Sequence, residues 1–448
     1  MTRELVLGIL LEVTRDGEYS HIALRNVLNK YQYLDKKERA FITRVTEGTL
    51  ERMIELDYII NQFSKVKVNK MKPVIRCIMR SAVYQLKYMD SVPNSAVCNE
   101  AVKLATKKGF VNLKGFVNGV LRNIERNLEN ISYPDRSNLK EYLSVKYSMP
   151  EWILEQFLAA YGEEKTEQIL EGFLAEKPIT IRCNLDKISK EELTKHLEKE
   201  GVHVENHPYL PYALWISSIN YLAELESFQN GEFYVQDVSS MMVAQIADPK
   251  EGQTVIDVCA APGGKSLHIA ELLKGTGHVE ARDLTAYKVN MIEENIMRSE
   301  CTNIHAVQWD ATQLDEQAIE TADIVIADLP CSGLGVLGKK TDLKYKMTKE
   351  TQEDLVKLQR TMLEKVHQYV KPGGILVYST CTIHEEENLG NVHWFLENHE
   401  EFDLVPIKEL VCEELQESIV EEGTLQFLPN VHKCDGFFIA KFRRRMHE

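Results

Sequence analysis

From residue 236 onward, short apolar runs rich in β-branched residues alternate with helical stretches: "TVIDVCA", "GHVEA", "NIHAVQW", "ADIVIADL", "GGILVYST" and "GFFIAKF". Runs of this length, bounded by turn residues and separated by helical periodicity, predict a mostly parallel sheet wound on both faces by helices. The pattern also says where function lies, because in such sheets ligands sit beyond the carboxyl ends of the strands. Functional residues are therefore expected directly after each run.

A chain of 448 residues exceeds what one core usually supports, so two or three domains are expected. Between Leu5 and about Asn127 apolar residues recur three and four apart, as in Ile54, Tyr58, Ile59 and Phe63 or Val74, Ile75, Ile78, Met79 and Val83. Breaks fall at "RDGE", "VKVNKMKP", "DSVPN" and "KKGF". These features predict an all-helical domain over 1–130. "ISYPDRSNL" and "YSMPEW", with Pro134 and Pro150, read as linker. The amphipathic "EWILEQFLAAYG", the strand-like "PITIRCN" and the helix "SKEELTKHLEKEG", closed by Gly201, then predict a small α+β subdomain. The expected division is 1–130 helical, 131–235 linker and subdomain, and 236–448 wound sheet.

The net charge of −15 speaks against nucleic acid, but it is unevenly spread. Residues 1–130 hold 22 Lys+Arg against 14 Asp+Glu, a surplus of 8, and the remainder carries −23. Local field rather than total charge steers an anion. Lys65, Lys67, Lys70, Lys72, Arg76 and Arg80 gather around one loop and the helix after it, a candidate phosphate-binding surface that competes with the plainer reading of a solvated helix face. Nine cysteines without a CxxC pair argue against a disulfide framework and against a zinc site, so no metal is expected. The opening "MTRELVLGILLEVTRDGEYS" reads as an amphipathic helix rather than a signal, and no apolar run approaches the roughly 18 residues that cross a bilayer. A cytoplasmic protein without membrane partners is expected.

The loops after the strands carry the chemistry. In "DVCAAPGGKSLHIAELL", Gly263 and Gly264 let backbone approach a ligand, and the helix opening near Lys265 offers free N–H groups to an anion. Gly264-Lys265-Ser266 imitates the end of a nucleotide phosphate loop, but Cys259 stands where that loop needs its first glycine. Asp283 follows the next run at the spacing of a ribose-binding carboxylate, and Asp310 ends the third, within reach of an adenine edge. Together they describe a nucleoside with an anionic tail, which S-adenosyl-L-methionine fits. The fourth loop brings Asp328 and Cys331 and the fifth Cys381, so two thiols face one crevice; the residues alone leave open which of them attacks.

"CAAPGGK", "DLPCSGLGVL" and "YSTCTIHEEEN", with "FYVQDVSS" and "DGFFIAKF", resemble the motifs of RNA cytosine-C5 methyltransferases, and the helical N-terminus resembles the NusB antitermination domain. The pairing is similar to the bacterial 16S rRNA enzymes of the RsmB/Sun (NOL1/NOP2/Sun) family and covers essentially the whole chain. The resemblance implies a Rossmann-like class I methyltransferase domain with a seven-stranded sheet. It implies S-adenosyl-L-methionine held by Cys259, Ala260, Ala261, Pro262, Gly263, Gly264, Lys265, Asp283, Asp310 and Asp328. It further implies methylation of carbon 5 of a 16S rRNA cytosine, the cytosine-967 activity, by a monomer. Cys381 would be the nucleophile, Cys331 would assist product release, Asp328 would bond the ring nitrogen 3, and Lys265 would orient Cys381 or Asp328. Alternatives are a cytosine in another RNA such as tRNA, or a non-catalytic ribosome assembly factor. Three positions depart from the family pattern: Leu329, Arg282 and the loop "GKKTDLKY", which lacks the usual Arg and Pro.

Overall fold

The computed structural model describes residues 1–219 and 221–446, which divide into two compact units. The first is helical: α1 (Thr2–Thr14), α2 (Ser20–Lys30), α3 (Lys36–Glu51), α4 (Met53–Phe63), α5 (Pro73–Tyr88), α6 (Asn94–Lys107), α7 (Lys114–Arg126), α8 (Leu139–Tyr147) and α9 (Glu151–Leu174), the last broken at Gly162. Local chemistry fixes these boundaries. A capping box between Asp35 and Glu38 opens α3, and Pro73 opens α5 where no backbone N–H is needed. Val117, Val120, Leu121 and Ile124 put one buried stripe on α7. It packs with Ile42, Ile59, Ile78 and Met79 into one core.

The same unit takes in a distant piece of chain, Leu337–Met347, the atypical "GKKTDLKY" loop. Asp342 accepts hydrogen bonds from the N–H and hydroxyl of Ser20 at 3.0 and 2.5 Å, and Lys344 donates to the Glu51 carbonyl at 2.9 Å. Lys344 is buried, and burial lowers its ammonium to about 7. This loop is thus tied into helical packing, and Lys344 is not offered to solvent.

The second unit holds two sheets. The smaller is formed by β1 (Ile179–Cys183), β2 (His203–Asn206), β3 (Ala213–Ser217) and β4 (Phe233–Val235), in the antiparallel order β2-β3-β1-β4, with α10 (Lys190–Lys199) packed over Ile181, Leu214 and Phe233. A short helix, α11 (Glu226–Gln229), precedes β4, and α12 (Val238–Ala247) follows it. The larger sheet then alternates with helices: β5 (Thr254–Asp257), α13 (Gly264–Leu272), β6 (His278–Asp283), α14 (Ala286–Ser299), β7 (Ile304–Gln308) and β8 (Ala322–Asp328). After α15 (Leu343–Lys346) in the inserted loop come α16 (Lys349–Val366), β9 (Val370–Thr380), α17 (Leu389–Asn398), β10 (Phe402–Leu404), β11 (Thr424–Phe427) and β12 (Phe437–Arg444).

The strand order is β10-β12-β9-β8-β5-β6-β7, parallel from β9 to β7, with β12 antiparallel between β9 and β10. This is the expected seven-stranded, doubly wound sheet, extended by β11 pairing with β12. Separate apolar cores cover its two faces, one around Met241, Ile269 and Ile292, the other around Leu363, Val392 and Phe395. Strand order reverses between β5 and β8, so the loops after them open side by side.

Candidate active site

The loop leaving β5 is shaped by its glycines. Gly263 has φ 104°, and a Cβ there would stand 3.3 Å from the Ile292 side chain. α13 begins at once with no side-chain cap, so its first donors face the crevice. Asp283, at the end of β6 and 2% exposed, fastens this loop: its carboxylate accepts from Ala261 N at 3.0 Å and Leu284 N at 2.7 Å and pairs with Lys288 at 3.0 Å. Cys259 and Ala260 lie beneath the loop, while Pro262 is exposed at its tip. Asp310, after β7, spends one carboxylate oxygen on Thr312 N and Oγ1, at 2.9 and 2.7 Å.

The register of β8 against β9 sets the other half of the site. Asp328 and Ser379 are direct partners, and Ser379 donates to Asp328 Oδ1 at 2.8 Å. Lys265, from the first turn of α13, meets Asp328 Oδ2 at 2.7 Å and lies over the Phe437 ring. Burial alone would depress Lys265, but the charges of Asp328, Asp257 and Cys381 together hold it above its ordinary value. The Sγ atoms of Cys331 and Cys381 are 3.3 Å apart. The hydrogen bond with Cys381, then burial, then the negative charge of Glu387 push the Cys331 thiol well up.

Residues that the sequence reading passed over hold these loops. Glu387 looks like part of an exposed acidic run yet is 0% exposed, and its carboxylate accepts from Ser332 N at 2.8 Å and Gln359 Nε2 at 2.9 Å. Ser332 and Thr382 hydroxyls meet at 2.7 Å, and Gly335 N donates to the Cys381 carbonyl at 3.0 Å. Asp257, the last residue of β5, is fully buried under the glycine loop; burial raises its carboxyl to about 7, against the Ser266 hydroxyl that donates to it at 2.6 Å. Its position at a strand end was the one signal available. Arg282, flagged as an interruption in an apolar run, is buried between Glu280 and Asp315 and faces the Trp309 and Tyr369 rings.

The basic cluster of the helical unit is only partly brought together as a surface. Lys65, Lys67, Lys70 and Lys72 are exposed. Arg76 instead donates to the carbonyls of Val68, Asn69 and Met71, and Arg80 is buried in a two-pronged pair with Asp57 at 2.7 and 2.6 Å. The two arginines are structural braces, which corrects their assignment to an RNA-facing patch.

Family comparisons agree with this architecture. Residues 244–443 match the 16S rRNA methyltransferase RsmB/F model, residues 1–126 the NusB family, and residues 149–220 a ferredoxin-like domain of RsmF/B-like methyltransferases. The probable ribosomal RNA small subunit methyltransferase B of Bacillus subtilis is 37% identical, covering 99% of this chain and 98% of its own. The crystal structure of PH0851 superposes with a TM-score of 0.83 at 28% identity, over 99% of this chain and 98% of that one. NSun6 from Pyrococcus horikoshii, solved with SFG, superposes with a TM-score of 0.58 at 26% identity, over 66% of this chain and 99% of that one. A NusB-like helical domain, a ferredoxin-like subdomain and a sheet that ends in two adjoining thiols therefore have one common explanation: the chain belongs to the ribosomal RNA small subunit methyltransferase B family.

Proposed function

We propose that this protein methylates carbon 5 of a cytosine in 16S rRNA, with Cys381 as nucleophile and S-adenosyl-L-methionine as methyl donor. The carrying observation is the pair of thiols 3.3 Å apart, beside a lysine–aspartate pair at 2.7 Å. Relatives named as small-subunit rRNA methyltransferases and a structural neighbour holding SFG, an analogue of the donor, support the substrate and cofactor. The donor supplies an electrophilic methyl group on a sulfonium sulfur.

The chain's own groups fit that donor and do the rest. The uncapped start of α13 suits its carboxylate, Asp310 keeps one carboxylate oxygen for its adenine, and Asp283, bonded to Ala261 and Leu284, shapes the loop beside its ribose. Carbon 5 of cytosine is too weak a nucleophile unaided. Cys381 thiolate forms a bond to carbon 6, the ring electrons gather at carbon 5, and carbon 5 takes the methyl group. Asp328, its carboxylate already oriented by Ser379 and Lys265, accepts from nitrogen 3 once that nitrogen has taken up a proton in the adduct. A solvent water then takes the proton from carbon 5, and the electrons of that bond expel Cys381 as thiolate and restore the aromatic ring. Cys331, its Sγ 3.3 Å from that of Cys381, donates a hydrogen bond to the departing thiolate and so assists its release. The base must leave its stack to reach these groups, which favours a loop or single-stranded target.

The test is incubation of the purified chain with 16S rRNA from cells lacking the gene and donor labelled in the methyl group. Label should appear as 5-methylcytidine at one position on nucleoside analysis and bisulfite sequencing. Label on an exocyclic amine, or on tRNA in preference to rRNA, would overturn the reading.

A further inference from the structure

At the opposite end of β9 from Cys381 lies a second cluster of ionisable groups that methyl transfer does not use. His367 directly follows α16 and opens the turn into β9, and His399 and Glu401 form the turn between α17 and β10. Both imidazoles are buried among Phe395 and Phe402, with ring centres 4.1 Å apart. His367 Nδ1 is 2.9 Å from the Leu363 carbonyl, so that nitrogen carries the proton and Nε2 keeps its lone pair.

His367 Nε2 and His399 Nδ1 each stand 3.8 Å from the same oxygen, Glu401 Oε1. One donor atom from each of the three residues lies within 4.8 Å of the other two. The second nitrogen of His399, Nε2, has no hydrogen-bond partner; its nearest carboxylate oxygen, on Glu364, is at 3.4 Å. A hydrogen-bonded imidazole and carboxylate would close to about 3 Å. At 3.8 Å neither imidazole nitrogen is hydrogen-bonded to that carboxylate oxygen. Ligand bonds of about 2.0–2.2 Å in tetrahedral geometry put neighbouring donors roughly 3.4 Å from one another. The two distances to Glu401 exceed that spacing by about 0.4 Å, which a shift of its half-exposed side chain can close.

We propose that His367, His399 and Glu401 bind one divalent first-row transition metal, zinc by the chemistry of two imidazoles and one carboxylate. Water completes the fourth position, and Glu364 accepts from His399 Nε2, the outer contact that fixes a ligating imidazole. The ion clamps the end of α16 to the turn entering β10 and stabilises the sheet from the edge away from the reaction. Two histidines 32 positions apart in sequence form no short motif, so only the fold exposes the site.

The test uses full-length protein stripped with chelator. One equivalent of Zn2+ should bind with micromolar or tighter affinity in calorimetry and raise the melting temperature by several degrees. The Co2+ form should show visible tetrahedral bands without the intense near-ultraviolet absorption of a cobalt–thiolate bond. Because the two site thiols are the rival ligands, uptake should persist in Cys331→Ser/Cys381→Ser and vanish in His367→Ala/His399→Ala. If the histidine variant does not fold, Glu401→Gln decides, with an expected loss in affinity of at least tenfold. No uptake by the full chain, uptake that follows the cysteines, or unchanged affinity in Glu401→Gln would overturn the proposal.

Discussion

Cys331 Sγ and Cys381 Sγ stand 3.3 Å apart although 50 residues separate them in sequence. The closeness is a consequence of register: Asp328 pairs with Ser379 across β8 and β9, and each thiol follows that rung by two or three residues. Two thiols at this distance cannot both ionise cheaply, since charge on one disfavours charge on the other. Their surroundings break the tie. Cys331 is held protonated next to Cys381 and Glu387, whereas Cys381 lies in the field of Lys265.

The two cysteine variants should therefore fail differently. Cys381→Ala removes the group that activates the ring, so neither methylated product nor covalent RNA adduct forms. Cys331→Ala leaves addition and methylation possible but slows expulsion of Cys381, so an adduct carrying labelled methyl accumulates on a denaturing gel. The reverse pattern would exchange the roles of the two thiols.

Gly335→Ala should damage the site without touching a reacting group. A Cβ there would lie 2.0 Å from the Gly436 carbonyl oxygen and 2.8 Å from that of Cys381. Both neighbours are backbone, and Gly335 also bonds to each of them, so neither yields easily. A stability loss of about 1–3 kcal/mol is expected, the range for forced overpacking, with reduced methyl transfer at temperatures where the variant stays folded. Urea denaturation and labelled-methyl assays check both.

Much of this was legible in the sequence because periodicity and strand-end position are local signals. The apolar runs from "TVIDVCA" to "GFFIAKF" became strands, and Lys265, Asp328, Cys331 and Cys381 converge as their positions after strands required. What escaped depends on distant partners. Counting charges placed Arg80 on a basic surface, but Asp57, 23 residues away, neutralises it in a buried pair. Glu387 reads as one of three consecutive exposed glutamates, yet Ser332 and Gln359 draw it inside. The loop around Lys344 follows the site motif in sequence but packs with the helical unit, which no linear pattern announces.

Asp257 should give the sheet domain a measurable pH dependence. Its carboxyl is raised from 3.8 to about 7, one oxygen bonded to Ser266 and the other without a partner. Between those values the native state holds a proton that the unfolded chain releases, so the contribution of Asp257 to stability is most favourable below about pH 4 and falls as pH rises toward 7. The slope is on the order of 1 kcal/mol per pH unit from one proton. Asp257→Asn keeps the acceptor for Ser266 and removes the titration. Its stability relative to the parent should rise between pH 5 and 7 and level off above, in urea denaturation followed by circular dichroism.

The exposed lysines and the buried arginine of the helical unit should separate in RNA binding. Lys65, Lys67, Lys70 and Lys72 carry free-facing charge around one loop, and Arg80 does not. Replacing the four lysines by alanine should weaken 16S rRNA binding and reduce the slope of log affinity against log salt by up to about 3, because each lost phosphate contact removes roughly 0.7–0.9. Stability should hardly change. Arg80→Ala should do the opposite, costing about 1.5–3 kcal/mol through the lost charged hydrogen bonds to Asp57 while leaving the salt slope of the folded protein unchanged. Filter binding across a salt series, with denaturation of the same samples, distinguishes the two. An unchanged slope in the four-lysine variant would show that this face of the helical unit does not grip RNA.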